Sequence, residues 1–69
     1  MMIVDARGLL CPEPVVRTQR AVKDGISELT VLVDAEAAKE NVTRCAASRG
    51  YTVGVQQEGE DYTLSLKKV

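Results

Sequence analysis

The alternation of apolar and polar positions changes period along this 69-residue chain, and the changes mark its elements. Residues 2–6 (Met-Ile-Val-Asp-Ala) predict a short strand closed by an Arg7-Gly8 turn. Pro12 and Pro14 then fix the start of a first helix, because proline fits a first turn but breaks a helix interior. That helix runs through Val15, Val16 and Val22 to about Asp24, with Gly25 as its stop. Residues 28–33 form a β-branched strand. Asp34 is expected as the N-cap of a second helix, with Glu36 in its first turn. Ala38, Val42, Cys45 and Ala46 fall on one apolar stripe of that helix, Glu40 and Arg44 pair on the other face, and Gly50 ends it. Tyr51, Val53 and Val55, then Tyr62, Leu64 and Leu66, alternate with polar residues across the Glu58–Asp61 turn and predict two half-buried strands. The order is βαβαββ. One domain, residues 1–69, is expected in the α+β class: a two-layer sandwich with two helices on one face of a four-stranded sheet.

Composition narrows what such a domain does. Only Tyr51 and Tyr62 are aromatic, so the core comes from Val, Leu, Ile and Ala, and a deep apolar ligand pocket is not expected. A net charge of −1 supplies no field toward nucleic acid or anionic membrane. The amino terminus reaches Asp5 and Arg7 too early for a signal peptide, and no apolar run approaches a bilayer span. Two isolated cysteines in that setting read as free thiols in a reducing cytosol, so a cytoplasmic protein is expected. Histidine is absent. That removes Ser-His and Cys-His dyads and the usual zinc site, and no metal or cofactor is expected.

Chemistry concentrates in Gly8-Leu9-Leu10-Cys11-Pro12-Glu13-Pro14. A cysteine at a helix N-terminus meets the positive end of the helix dipole, which favours the nucleophilic thiolate. With Cys11 as N-cap, Pro14 offers no amide hydrogen, leaving the Glu13 amide as its donor. The sulfur is then favoured as an anion yet weakly tied to the backbone. Arg7 stabilises such a thiolate if it approaches, while Glu13 opposes it. Cys45, on the apolar stripe, reads as structural. Arg17, Arg20 and Lys23 form a basic strip along the first helix, either a solvated face or a docking surface for an acidic partner.

The stretch Asp5-Ala6-Arg7-Gly8-Leu9-Leu10-Cys11-Pro12-Glu13-Pro14-Val15-Val16 resembles the TusA/SirA family of small sulfur carriers, whose hallmark is a Cys-Pro-x-Pro motif opening the first helix. The resemblance implies a mixed four-stranded sheet in a two-layer sandwich and a sulfurtransferase that carries sulfur as a persulfide on Cys11. Gly8, Pro12, Glu13 and Pro14 then shape the site, with Arg7, Arg17 and Arg20 available for thiolate stabilisation or docking. Implied partners are a sulfur donor of the cysteine desulfurase or rhodanese type and a recipient sulfur-relay protein, with no direct nucleic acid or membrane contact and a monomeric state. Residues 33–42 resemble the amino-terminal domain of YedF-type proteins linked to selenium metabolism. A selenium carrier using the same cysteine, and a docking module using the basic strip, are the alternatives.

Overall fold

The computed structural model describes residues 2–8 and 13–69, Met2 by its backbone. The chain forms β1 (Met2–Asp5), α1 (Glu13–Lys23), β2 (Glu28–Val33), α2 (Glu36–Ser48), β3 (Tyr51–Glu58) and β4 (Asp61–Lys68). Four strands make one mixed sheet in the order β1-β2-β4-β3. β1 pairs parallel to β2, with Val4 opposite Val31. β4 is antiparallel to both its neighbours. Both helices return against the strands, so both begin at the end of the sheet where β1 and β2 finish and β4 starts.

Alternation on the central strands builds the core. Leu29, Val31 and Val33 of β2 and Leu64 and Leu66 of β4 are buried, and Val42 and Ala46 of α2 and Ala21 and Val22 of α1 close over them. Burying an aliphatic side chain of this size stabilises by about 1.5–3 kcal/mol, so these few residues carry most of the driving force. Glycines punctuate the elements as expected. Gly25 (φ +77°) and Gly50 (φ +85°) take the left-handed conformation just past α1 and α2, where the Gly25 amide donates to the Val22 carbonyl and the Gly50 amide to the Ala47 carbonyl. At the β3–β4 hairpin, Glu58 pairs with Asp61, leaving Gly59 and Glu60 as a two-residue loop. Only Gly59 has a positive φ, the sign pattern of a type II′ turn.

Several expectations change. α2 is capped at Ala35 rather than Asp34, with no side-chain bond to its first amides; the Asp34 carboxylate has gone to Gly8 instead. On α1 the buried face is Pro14, Thr18, Ala21 and Val22, while Val15 and Val16 are only half-buried. Thr18 is tolerated there because its hydroxyl donates to the Pro14 carbonyl at 2.9 Å. Cys45 is half-buried, not sealed in the core. The Glu40–Arg44 pair is not among the ion pairs of the described residues, although both side chains line one open groove. Val55 is 46% exposed although it lies in phase with buried Tyr51. β3 is an edge strand, and there Val55 lines an open groove with Lys39, Glu40, Thr43, Arg44 and Ala47 of α2.

The fully buried Leu64 and the half-exposed Val55 give a direct contrast. Leu64→Ala is expected to lower stability by about 2–5 kcal/mol in urea unfolding, and Val55→Ala by less than about 1 kcal/mol. Equal losses would contradict this placement of the core.

Candidate functional site

The segment ahead of α1 is pinned by acids drawn from three strand ends. Asp5 closes β1, Asp34 follows β2 and Asp61 opens β4, and the topology brings these ends together. The Arg7 guanidinium forks onto Asp5, Nε to Oδ1 at 3.0 Å and Nη2 to Oδ2 at 2.9 Å, while the Arg7 backbone amide donates to the same Oδ1 at 3.1 Å. Its remaining arm reaches Asp61 Oδ2 at 3.4 Å. Two-point contacts of this kind fix orientation as well as distance. One residue on, the Gly8 amide donates to Asp34 Oδ2 at 2.8 Å. Gly8 sits at φ +76°, a conformation glycine enters without a Cβ penalty. Ala6 extends the parallel ladder by donating to the Leu32 carbonyl.

The hydrogen bonds from Arg7, side chain first and then backbone, hold the Asp5 carboxyl well below its ordinary value of 3.8, at about 2. The same contact raises Arg7 further above its usual range. Both groups are largely exposed, so the clasp matters for geometry more than for gross stability.

Immediately after the Cys11-Pro12 pair, Glu13 opens α1 with its carboxylate favourably placed at the positive end of the helix dipole. It lies 3.9 Å from Arg17, four residues on. Pro14 is buried, which seats the first turn of α1 against the sandwich. Cys11 and Pro12 lie outside the described residues, and so does the geometry expected at the sulfur. Of the other site residues, Gly8 precedes the Cys11-Pro12 pair in the chain and Glu13 and Pro14 follow it in the first turn of α1. Arg17 and Arg20 are exposed on α1 and share a shallow groove with Ile3, Val4 and Asp5 of edge strand β1. Arg7 has carboxylate partners that the sequence reading did not assign to it. Asp34 and Asp61 were missed as site residues. Asp34 carries a plausible local role as a helix cap, and Asp61 lies in a turn, so no local signal separates either from an ordinary loop acid. Among the described residues, no group of three or more Cys, Asp, Glu or His side chains is arranged to hold a metal ion.

The Arg7-Gly8 turn is thus held by a carboxylate clasp, and the first turn of α1 is seated by buried Pro14. Similarity to known proteins places the chain in a family. The profile of the family described as "Sulfurtransferase TusA" matches residues 2–68. The chain belongs to the TusA sulfurtransferase family. A protein of Methanocaldococcus jannaschii, provisionally named a sulfur carrier, is 37% identical over 71 residues, covering 99% of this chain and 95% of the relative. The crystal structure of a SirA-like protein from Desulfitobacterium hafniense superposes with a TM-score of 0.87 at 28% identity, covering 97% of this chain and 96% of the other. Family membership makes sulfur transfer, and dealings with sulfur-relay proteins in general, the setting of this site. Among the described residues no helix is long and apolar enough to cross a membrane.

Two predictions test the clasp. Because the folded-state value of Asp5 lies below its unfolded one, its ionised form favours the folded state. That contribution is complete above about pH 5 and is lost as pH falls toward 2. Asp5→Asn should therefore flatten the acid limb of a stability-against-pH profile, and an unchanged limb would contradict the assignment. Asp34→Ala should accelerate hydrogen exchange of the Gly8 amide by about tenfold while lowering global stability by only about 1 kcal/mol. A Gly8 amide that exchanges at the wild-type rate would show that the 2.8 Å bond does not hold the loop.

Proposed function

We propose that this protein accepts sulfane sulfur on Cys11 as a persulfide and passes it to the thiol of a recipient protein. What carries the reading is the Cys11-Pro12-Glu13-Pro14 motif falling where the anchored Arg7-Gly8 turn leads into α1, in a chain of the TusA family. The positive end of α1 favours negative charge beside its first turn, which supports a thiolate at Cys11.

The chemistry is two successive attacks on divalent sulfur. The Cys11 thiolate attacks the terminal sulfur of a donor persulfide, R–S–SH. A new Cys11–S bond forms, the donor S–S bond breaks, and the donor leaves as its thiolate. The product is Cys11–S–SH. A recipient thiolate then attacks that outer sulfur, giving its own persulfide and returning Cys11 as a thiolate. The sulfane sulfur keeps its oxidation state throughout, and no outside oxidant or reductant enters. No general base is needed at Cys11 once the sulfur is ionised, which fits a chain without histidine. A donor of the cysteine desulfurase or rhodanese type supplies the persulfide.

A docking role for the α1 strip is the second reading, favoured by the placement of exposed Arg17 and Arg20 along the edge strand β1. It complements the carrier chemistry if donors approach along that edge.

Intact mass after incubation with a cysteine desulfurase and cysteine, and in parallel with inorganic polysulfide, tests the carrier reading. The expected result is the gain of one sulfur atom, abolished by Cys11→Ser and kept by Cys45→Ser. No gain from either donor, or a gain that follows Cys45, would overturn it.

A further inference from the structure

α1 and α2 do not close against one another along their whole length. Between them lies a shallow groove of about 520 Å³, lined by Val15 and Gln19 of α1 and by Asn41, Arg44, Cys45, Ser48 and Arg49 at the carboxyl half of α2 and its end. Its walls carry two cations and no carboxylate. Arg44 and Arg49 are exposed, and neither has a carboxylate within 4 Å among the described residues. The acid that helix spacing offers to Arg44, Glu40 at i−4, is not engaged with it. Arg7 is paired with Asp5 and Asp61, Arg17 with Glu13 and Lys67 with Glu28, and Lys39 lies over the Tyr62 ring, whereas Arg20, Lys23 and Lys68, like Arg44 and Arg49, make no ion pair among the described residues. What sets Arg44 and Arg49 apart is that they share one groove.

The floor suits a side chain rather than a polyanion. Val15 and the half-buried Cys45 supply apolar lining between the two helices. No aromatic ring lines the groove to stack a base. The orientation is also informative. Val15 lies in the first turn of α1, so the groove begins beside the amino end of that helix and leads away from it.

We infer that the α1–α2 groove is a docking site for an acidic segment of a partner protein, which sets an apolar side chain on Val15 and Cys45 and its carboxylates on Arg44 and Arg49. The inference rests on the carrier reading for its purpose, since a segment seated there reaches the amino end of α1, the end that follows the Cys11-Pro12 pair in sequence, but its geometry stands apart from any sulfur chemistry. Opposite charge at an open site of this kind acts mainly on encounter rate and register, and it weakens with salt.

The test uses the whole protein, ¹⁵N-labelled, and a synthetic helical peptide carrying two glutamates four residues apart around a leucine. At low salt the peptide is expected to shift the amides of Val15, Gln19, Arg44, Cys45 and Ser48. Arg44→Glu with Arg49→Glu should weaken binding at least tenfold, and Arg44→Gln with Arg49→Gln should fall between. Both pairs of side chains are exposed, and an unchanged amide spectrum elsewhere reports that the fold is kept. A peptide with lysine in place of glutamate should not bind. No shifts, shifts confined to Arg17 and Arg20, equal binding of the lysine peptide, or tighter binding of a short RNA oligonucleotide at the same amides would each overturn the proposal. Polysulfide loading of Cys11 is measured on the same charge-reversed protein and should match wild type. Failure to load either protein counts against the carrier reading and leaves the peptide result to decide the groove.

Discussion

The Gly8 amide resting on the Asp34 carboxylate is the contact on which the site's placement depends. It ties the segment leading to Cys11 to the end of β2, the most interior apolar strand, across 26 residues of sequence. Asp34 would otherwise be free to cap α2. The helix instead starts at Ala35 with no side-chain cap and relies on Glu36 to meet its dipole. A lost cap weakens a helix by about 1 kcal/mol. The fold thus gives up local stability in α2 to hold the loop ahead of α1.

The clasp around Arg7 works in the same direction. Its guanidinium joins Asp5 at the end of β1 to Asp61 at the start of β4, two strands that are not neighbours in the sheet. Exposed ion pairs contribute little to stability one at a time. Here they orient, because the fork on Asp5 and the backbone bond from the same residue leave Arg7 little freedom. Sulfur transfer between proteins needs a short nucleophilic segment held in a reproducible place and left open to partners. The described residues supply a fastened Arg7-Gly8 turn before the Cys11-Pro12 pair and a helix start seated by buried Pro14 after it, and the proposed relay places its nucleophile between them.

The elements were legible in the sequence because their signals are local. Pro14, Gly25, Gly50 and the Gly59 hairpin each act on their immediate neighbours, and the alternation of β2 and β4 points straight at the core. The Cys-Pro-x-Pro motif is a local signal of the same kind, with Cys11 and Pro12 outside the described residues. What sequence could not supply was tertiary choice. Asp34 has a good local use as a cap and a better distant one at Gly8, and Arg7 finds Asp61 only after the sheet has formed. Val55 obeys the same alternation as Tyr51, yet strand order leaves it at an edge. Thr18 reads as polar surface until its hydroxyl is seen to be satisfied by Pro14. Glu40 and Arg44 have the spacing of a pair, and that spacing permits a contact without compelling one.

The proposed sulfur relay requires Cys11 to be an anion at neutral pH. Its rate of alkylation by iodoacetamide, followed by peptide mass in Cys45→Ser protein across the pH range, reads that state directly. The rate should level off by about pH 7.5, since an ionised thiol gains nothing from further base. A rate still climbing tenfold per unit at about pH 8 would mean that the sulfur is an ordinary thiol, and the account would fail at its centre.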